Sequence, residues 1–376
     1  MRRPFREHHL LEILSSFEMQ TLPLDLFLRN YFRKHTAVGS KDRKEICNLI
    51  YTMIRWRALL DYNIKTTPTW EARYQSLHAL ESLQKDPSIP AHIRVSFPKV
   101  FYDYLVQSLG EEKAEAFCLA SNDTAPTTIR VNTIVTTREA LIEKWNEAYP
   151  ISVCPHSPVG IRFKEKINFF GLEEFKAGCF EVQDEASQLI ADLVKVQPGQ
   201  RCLDYCAGSG GKTLAIAPRL HPKGQLFLHD IRDHALQEAK KRLKRARVQN
   251  AQLLFHDSPN KALIKGKMDW VLVDAPCSGT GTLRRNPDMK WKFEEAMVTR
   301  LIAEQRTLFK EALSYLKPTG HIVYATCSIL PQENEQQMQY FLDNFPVELA
   351  HEPFSTFPQP GEMDGFFGVV FKKKNT

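Results

Sequence analysis

Residues 268–281 read MDWVLVDAPCSGTG, a short apolar run followed at once by a loop that carries Cys277. A second stretch of the same kind, GHIVYATCS at residues 320–328, carries Cys327. Both runs are rich in strand-forming residues and too short for helices, so they predict buried strands of a parallel sheet. Ligands bind at the carboxyl edge of such a sheet. Two thiols at that edge predict covalent chemistry, because sulfur is easily made nucleophilic near neutral pH.

Strands and helices alternate from Val182 to the end of the chain. The other predicted strands are RCLDY, QLFLHD and AQLLFHD, and the predicted helices are GKTLAIAPRL, a helix from about His234 to Val248 and a long helix from about Phe293 to Leu316. This alternation predicts a doubly wound α/β sheet. The tail MDGFFGVVFKKK predicts a late strand or hairpin.

Two further parts precede this sheet. Apolar residues at helical spacing from His8 to about Asn122, broken at prolines, predict an all-α domain. Between Thr127 and Phe180 the pattern changes to short strands and one amphipathic helix opened by Thr136 and Thr137, which predicts a small α/β module. The predicted domains are therefore residues 1–125, 126–180 and 181–376.

The bulk composition is that of a globular protein with 43% hydrophobic and 25% charged residues. No long apolar stretch predicts a signal peptide or a membrane span, so a cytoplasmic protein without a membrane partner is expected. Eight cysteines without a C-x-x-C pair predict reduced thiols and no metal site. The net charge of +6 is compatible with a nucleic-acid partner. We expect a monomer.

The first strand of the sheet ends in the glycine-rich loop Asp204 to Thr213, DYCAGSGGKT, which opens a helix. Such a loop brings backbone close to a ligand. A phosphate-binding P-loop fits except that its first glycine falls at Cys206, and the dinucleotide pattern fails because its last glycine falls at Thr213. S-adenosylmethionine is the third candidate ligand.

Two acidic residues favour a nucleoside at this edge. Asp230 ends the second strand, where an acid can bind ribose hydroxyls. Asp257 follows the third strand and could meet the adenine amino group. Each aspartate could instead be an ordinary helix cap or turn residue.

The motifs CAGSGGKT, DAPCSGTGTLRRNPD and ATCSILPQENE, with FEVQDEASQLIADLV before them and DGFFGVVF after them, resemble the Sun/Fmu family of RNA cytosine-5 methyltransferases. The resemblance covers about Thr127 to Lys372. It implies a Rossmann-like class I methyltransferase domain, and the N-terminal helices resemble the NusB-like domain of the ribosomal RNA methyltransferase B branch. The loop departs from the family's usual C-A-A-P-G-G-K at Gly208 and Ser209, so a stiffening proline is lost. That departure puts cofactor affinity, though not cofactor identity, in question.

The resemblance implies methyl transfer from S-adenosylmethionine to carbon 5 of a cytosine in RNA, with ribosomal RNA as the expected partner. It assigns Cys327 as the nucleophile and Cys277 to product release. The residues alone leave this open, since DNA cytosine methyltransferases use a Pro-Cys nucleophile, which here would be Cys277. Asp274 could meet the cytosine or the methionine end of the cofactor, and Lys212 could polarise the base or be a surface lysine. The predicted cofactor-binding residues are Cys206, Ala207, Gly208, Ser209, Gly210, Gly211, Lys212, Asp230, Asp257 and Asp274.

Arginines close to the Cys277 loop are the predicted RNA-binding residues. Arg284 and Arg285 follow that loop directly and could hold phosphates beside the target base. A basic run from Lys240 to Arg247 is more typical of a solvated helix face. A P-loop-like ATPase and a non-catalytic RNA-binding assembly factor are the alternatives to the methyltransferase.

Overall fold

The structure is a computed structural model that describes residues 3–20, 22–165 and 167–374. The chain divides into two compact units. One comprises Met1–Thr124 and Thr282–Glu295, and the other comprises Ala125–Gly281 and Ala296–Thr376. The sequence predicts three domains instead. The predicted boundary at residue 180 lies inside the second unit and does not divide it. The sequence also does not predict that residues 282–295 belong to the first unit.

The first unit is built from helices. They are α1 (Phe5–Phe17), α2 (Leu24–Lys34), α3 (Ser40–Arg55), α4 (Arg57–Tyr62), α5 (Trp70–Ser76), α6 (Leu80–Gln84), α7 (Ala91–Arg94), α8 (Lys99–Leu109) and α9 (Glu111–Asn122). Proline directly precedes α1, α2, α7 and α8, where its missing N–H costs nothing. Leu10, Leu14, Ile46 and Ile50 lie at helical spacing on α1 and α3 and are completely buried in the core.

Residues 282–295 are anchored to these helices by a buried lysine. Lys290 is 1% exposed, and its Nζ donates to the Arg55 carbonyl and to Asn122 Oδ1, both at 2.7 Å. The ammonium also lies 4.4 Å from the centre of the Phe97 ring. Trp291 Nε1 donates to the Ile54 carbonyl at 2.9 Å. Burial lowers the pKa of Lys290 well below that of an ordinary lysine.

The second unit begins with a small antiparallel sheet of order β2-β3-β1-β4. Its elements are β1 (Thr127–Val131), α10 (Arg138–Trp145), β2 (Ile151–Val153), β3 (Gly160–Phe163), α11 (Glu173–Lys176) and β4 (Phe180–Val182). Thr137 caps α10 by accepting from the Ala140 N–H. Trp145 of α10 packs edge-on against Phe163 and Phe180 of the sheet. The sheet thus extends past the predicted boundary at residue 180.

The large sheet has the order β10-β12-β9-β8-β5-β6-β7, with β11 paired to β12. Its strands are β5 (Arg201–Asp204), β6 (Gln225–His229), β7 (Ala251–Leu254), β8 (Met268–Asp274), β9 (Leu316–Thr326), β10 (Val347–Leu349), β11 (Phe354–Thr356) and β12 (Phe366–Lys373). The helices among them are α12 (Glu185–Asp192), α13 (Gly211–Leu220), α14 (Asp233–Arg245), α15 (Asn260–Leu263), α16 (Glu295–Leu313) and α17 (Glu335–Asn344). Strands β5 to β9 pair in parallel, and β12 pairs antiparallel with β9 and β10.

Both faces of the large sheet are buried. Val271 and Val273 of β8 pack in one apolar cluster with residues of α16 and α17, while Trp270 and Leu272 pack in another with residues of α13 and α14. Successive side chains of a strand point to opposite faces. The predicted doubly wound α/β fold is therefore confirmed. Helix α14 ends earlier than predicted, at Arg245, because Arg247 has a left-handed φ of 61°.

No helix within the described residues is both long enough and apolar enough to span a lipid bilayer.

Removing the anchor of residues 282–295 should destabilise the protein. We expect Lys290→Ala to lower the free energy of unfolding by about 2–5 kcal/mol, because two buried acceptors lose their donor and a cavity opens beside Phe97. Lys290→Met keeps the stem and should cost about 1–3 kcal/mol. Urea unfolding followed by circular dichroism measures both. Lys85, exposed in the same unit, gives the control Lys85→Ala; equal stability of the Lys290 and Lys85 variants would contradict the anchor.

Candidate functional site

A cavity of about 580 Å³ lies in the second unit, where β5, β6 and β8 end. Eight of the predicted cofactor-binding residues line it: Cys206, Ala207, Gly208, Ser209, Gly211, Lys212, Asp230 and Asp274. The lining also includes Ile231, Arg232 and, from α16, Glu304 and Leu308. The carboxyl ends of parallel strands thus form the predicted ligand-binding edge.

The two other predicted cofactor residues do not line this cavity. Gly210 is the N-cap of α13 with a φ of 80°, and an added Cβ would lie 3.2 Å from the Ala239 Cβ. Its role is therefore to turn the chain and to let α14 pack closely. Asp257 is exposed after β7 and is absent from the lining of the cavity. The predicted contact of Asp257 with adenine is thus not supported, because the chain beyond β7 carries this side chain away from the cavity.

Glycine at position 208 shapes the cavity wall. Its φ is 53°, and an added Cβ would face open space with only Arg232 Nη2 near it, at 3.7 Å. The Gly208 N–H donates to Asp230 Oδ2 at 2.8 Å. The loop after β5 is therefore fixed to the end of β6 and leaves room for a ligand against its backbone.

Ser209, where the family pattern has proline, is held by a side chain from α14. Arg242 Nη1 donates to the Ser209 carbonyl at 2.9 Å and to Ser209 Oγ at 2.7 Å. Arg242 Nη2 in turn donates to Glu181 Oε2 at 3.0 Å, and Glu181 is buried. Hydrogen bonds to a held arginine thus restrain the loop at the position where a proline ring would stiffen it.

Asp230 is an ionised carboxylate at the end of β6. Burial alone would raise its pKa, but hydrogen bonds from Arg232 and from the Gly208 N–H outweigh burial and lower the pKa. The Arg232 N–H and Nε donate to Asp230 Oδ1 at 2.9 and 3.0 Å. Asp230 is therefore charged at neutral pH and bonded to two neighbours that line the same cavity.

Lys212 and Asp274 form an ion pair at the opposite side of the loop. Lys212 Nζ donates to Asp274 Oδ2 at 2.5 Å, and the lysine is buried. Burial lowers the Lys212 pKa, but the Asp274 carboxylate more than offsets burial, so the pKa is raised. Lys212 is therefore neither a surface lysine nor a free cation.

The cavity lining carries three carboxylates, Asp230, Asp274 and Glu304, and two cations, Lys212 and Arg232. Each of the two cations is bonded to a carboxylate of the lining. The balance is minus one. A polyphosphate would meet net repulsion here, whereas a cationic ligand would be attracted.

The two predicted catalytic thiols lie side by side. Cys277 Sγ and Cys327 Sγ are 3.4 Å apart, at the ends of neighbouring parallel strands β8 and β9. The hydrogen bond from the Cys277 thiol lowers the pKa of Cys327 below that of an ordinary cysteine. The same bond and burial raise the pKa of Cys277 well above it. Either sulfur can be the donor of this contact; with Cys277 as the donor, Cys327 is the thiolate.

Charged neighbours act on both thiols. Glu333 raises the pKa of Cys277 and that of Cys327, and at Cys327 the Asp274 carboxylate raises the pKa by more than the Lys212 cation lowers it. The hydrogen bond between the thiols, rather than these charges, therefore sets the difference. Cys206 lines the cavity, but burial raises its thiol pKa well above the ordinary value. Of these three cysteines, only Cys327 has a pKa shifted toward reactivity.

Glu333 is a site residue that sequence reasoning did not identify. It is completely buried, and its carboxylate accepts from the Ser278 N–H at 2.9 Å, Ser278 Oγ at 2.5 Å and Gln305 Nε2 at 3.0 Å. Gln305 Nε2 also donates to the Pro276 carbonyl at 3.0 Å. These bonds fix the loop that carries Cys277. The ATCSILPQENE motif contains Glu333, but only its burial beside the other loop reveals the role.

A glycine contact joins the two cysteine loops to a third segment. The Gly281 N–H donates to the Cys327 carbonyl, and the Gly365 N–H donates to the Gly281 carbonyl, both at 2.9 Å. A Cβ on Gly281 would lie 2.0 Å from the Gly365 carbonyl oxygen. Only glycine fits there, so the DGFF segment before β12 closes against both loops.

The structure places the predicted RNA-binding arginines in the first unit. Arg284 is 1% exposed, and its carbonyl accepts from Arg55 Nη2 at 2.9 Å. A side chain this deeply buried is not placed to bind phosphate, so the prediction for Arg284 is not supported. Arg285 is half-buried.

The described part of the chain holds no group of three or more histidine, cysteine, aspartate or glutamate side chains that could bind a metal ion.

Comparisons with known proteins agree with this architecture. The family 16S rRNA methyltransferase RsmB/F matches residues 191–371, and the RsmF/B-like ferredoxin-like domain matches residues 97–169. The ribosomal RNA small subunit methyltransferase B of Proteus mirabilis is 35% identical over 265 residues, which cover 69% of this chain and 62% of that protein. The chain thus spans about three fifths of the length of this relative.

Solved structures share the fold. The crystal structure of PH0851 superposes with a TM-score of 0.82 at 22% identity, covering 99% of this chain and 100% of that chain. A methyltransferase homolog from Pyrococcus horikoshii superposes with a TM-score of 0.67 at 27% identity, covering 77% of this chain and 99% of that chain. The S-adenosylmethionine-dependent methyltransferase fold predicted from the motifs is confirmed, and residues 191–371 of the chain match the 16S rRNA methyltransferase RsmB/F family.

Proposed function

We propose that this protein transfers a methyl group from S-adenosylmethionine to carbon 5 of a cytosine in ribosomal RNA, through a covalent adduct on Cys327. The observation that carries the proposal is the pair of thiols 3.4 Å apart, of which one has a lowered pKa. Their loops adjoin a cavity lined by Asp230 and Asp274. The ribosomal RNA substrate is inferred from the names of the family and of the Proteus mirabilis relative.

The residues of the cavity fit the proposed cofactor. S-adenosylmethionine supplies an electrophilic methyl group on a sulfonium, and it carries a positive charge there and on its ammonium. A lining with a charge of minus one suits such a ligand. Asp230 would hold ribose hydroxyls, the backbone at Gly208 would approach the ligand closely, and Asp274 would face its cationic end. The same charge balance disfavours the P-loop-like ATPase, whose lysine must be available to phosphates.

Cys327 would begin the reaction as a thiolate. Carbon 5 of cytosine is a weak nucleophile until sulfur adds to carbon 6, which forms an S–C6 bond and makes carbon 5 electron-rich. The hydrogen bond from Cys277 stabilises the thiolate before the attack and outweighs burial and the nearby Asp274 carboxylate, both of which raise the pKa of Cys327. Carbon 5 would then form a bond to the methyl group as the methyl–sulfonium bond breaks and leaves a neutral thioether. A proton must next leave carbon 5, so that the C5–C6 double bond re-forms and the thiolate departs.

Cys277 is suited to that last proton transfer. Before the attack, the hydrogen bond to Cys327 and the thiolate's charge both raise its pKa and keep it protonated. Once the Cys327 sulfur is bonded to carbon 6, it is neutral, and both of these effects disappear. Adduct formation therefore lowers the pKa of Cys277 at the step that needs a base. The target base must be unstacked to reach these half-buried thiols, which suits a single-stranded or opened RNA segment.

Removing each of the two thiols should block the reaction at a different step. Cys327→Ala is expected to abolish methyl transfer and to leave no covalent RNA adduct, because the sulfur that attacks carbon 6 is gone. Cys277→Ala should still attack and methylate but release the product slowly, so that enzyme and RNA stay joined. Denaturing electrophoresis of each variant with labelled small-subunit ribosomal RNA shows the difference.

Cys179→Ala is the matched control, since this half-buried thiol just before β4 lies outside the cavity lining; it should neither trap RNA nor abolish transfer. A trapped complex with Cys327→Ala but not with Cys277→Ala would reverse the two roles. No methylated cytosine from the unaltered protein would overturn the proposed function itself.

The pH dependence of adduct formation should reveal the hydrogen bond between the thiols. Thiolate forms as pH rises through the pKa of Cys327, which the Cys277 thiol lowers below that of an ordinary cysteine. Cys277→Ala removes that donor and should move the inflection upward by about 1–2 pH units, the equivalent of about 1.5–3 kcal/mol for a hydrogen bond to a charged group. Cys277→Ser keeps a hydrogen-bond donor and should move the inflection less. Single-turnover trapping across a pH series compares the variants; identical inflections would contradict the shared hydrogen bond.

Asp230 and Asp257 provide a matched pair for the cofactor site. Asp230→Ala should weaken S-adenosylmethionine binding by about 1–3 kcal/mol, because polar partners in the cavity wall lose a carboxylate. Asp257→Ala changes an exposed aspartate outside the cavity lining and should leave the affinity unchanged. Titration calorimetry measures both. A larger loss of S-adenosylmethionine affinity for Asp257→Ala than for Asp230→Ala would mean that the nucleoside binds on the other side of β7.

A further inference from the structure

A second cavity of about 660 Å³ lies on the second unit, away from the thiols. The end of α14 and the residues after it form one wall, and β7 with Phe255 forms the other. Strand β7 is an edge strand, whose one partner within residues 3–20, 22–165 and 167–374 is β6. The name edge groove is used below for this cavity, which is lined by Lys240, Leu243, Lys244, Arg247, Val248, Gln249, Ala251, Gln252, Leu253 and Phe255.

The basic run on α14 separates into two sets of side chains. One set is used inside the unit, since Arg242 and Arg245 both bond the buried Glu181 and Lys241 bonds Glu238. The other set consists of Lys240, Lys244 and Arg247, which are exposed and line the edge groove. Among the described residues no carboxylate forms an ion pair with these three cations. Their charge is therefore available to a partner.

The geometry of the three cations matches a repeating anionic ligand. Lys240 and Lys244 are one helical turn apart, so their Cβ atoms lie about 5–6 Å from each other. Arg247 follows beyond the helix end, where its left-handed φ of 61° turns the chain toward β7. The cations thus form a row along one wall of the edge groove.

The remaining lining identifies the chemistry of the ligand. Phe255 is half-buried and offers part of its ring, and Gln249 and Gln252 offer amide donors and acceptors. No aspartate or glutamate belongs to the lining that the structure describes. Cations for phosphates, an aromatic face for a base and amides for base edges are the groups that bind single-stranded RNA. An acidic peptide would use the cations but would leave the aromatic face without a planar partner.

We propose that the edge groove binds a single-stranded segment of the RNA substrate, with phosphates on Lys240, Lys244 and Arg247 and a base against Phe255. The proposal rests on the proposed function, because it assigns a second contact to the RNA that the thiols would methylate. The groove holds RNA away from the reacting atoms. It therefore contributes affinity and salt dependence rather than chemistry.

A triple variant, Lys240→Gln with Lys244→Gln and Arg247→Gln, tests the phosphate contacts. Binding of a short fluorescent single-stranded RNA of mixed sequence is measured across a salt series. Each lost phosphate contact on a single strand lowers the slope of log affinity against log salt by about 0.7, so we expect a decrease of about 2. A control triple variant, Lys223→Gln, Lys265→Gln and Lys310→Gln, removes the same charge from exposed lysines outside the groove and should change the slope less.

Phe255→Ala tests the base contact separately and should weaken RNA binding about tenfold or more with an unchanged salt slope. A second measurement does not depend on the folding of that variant. The photoreactive residue p-benzoylphenylalanine in place of exposed Gln249 should crosslink the RNA. Equal slopes for the groove triple variant and the control, or no crosslink to RNA, would overturn the proposal.

Polyglutamate is the competing probe for an acidic peptide. If polyglutamate does not displace the bound RNA, the result supports RNA as the occupant. If polyglutamate crosslinks at position 249 while RNA does not, the groove is a peptide site and the proposal fails. Methylation of ribosomal RNA by the unaltered protein is assayed in parallel. If the unaltered protein methylates RNA and the groove variant binds RNA as before, the groove proposal is contradicted but the proposed function is not. Neither RNA binding nor methylation by the unaltered protein would defeat both proposals.

Discussion

The parallel pairing of β8 with β9 is the constraint on which the rest of the site depends. In this register Val273 lies opposite Tyr324, and Asp274 lies opposite Ala325. The loops that carry Cys277 and Cys327 therefore leave the sheet side by side, and their sulfurs come within 3.4 Å. A slip of one residue would turn the buried side chains of one strand to the opposite face, so packing on both faces fixes the distance between the thiols.

Proximity alone would give two equivalent thiols that compete for one proton. The hydrogen bond between the thiols removes the equivalence, because it lowers the pKa of Cys327 and raises that of Cys277. Lys212, whose cation lowers the pKa of Cys327, comes from the helix after β5, and Glu333, whose carboxylate raises the pKa of both thiols, comes from the segment after β9. The balance between the two thiols thus depends on one bond between the loops and on charges that separate elements deliver to the same edge. The Pro-Cys motif by itself does not decide the roles, which is why the sequence left them open.

The sequence predicted what depends on local patterns and on chain order. Apolar runs predicted the strands that precede Cys277 and Cys327, and the glycine-rich loop predicted the wall of the cavity. The sequence did not predict features made by distant residues. The burial of Arg284 and Lys290 depends on helices far upstream in the chain, and the role of Glu333 depends on contact with another loop. Asp257 was predicted from strand order, but the direction of the chain after β7 is a tertiary property.

Helix α14 shows why one charged run can have two roles. Its Arg242 faces the cofactor loop, where two bonds to Ser209 restrain a turn that has no proline. A proline ring restricts the backbone covalently, whereas an arginine restrains it only while its own partner Glu181 holds it. The loop and the small sheet that carries Glu181 are therefore coupled through the Arg242 guanidinium. Lys240 and Lys244 lie on the same helix but bond no carboxylate of the described chain. The helical period thus divides the basic run into a face that bonds other residues of the unit and a face that is available to a partner.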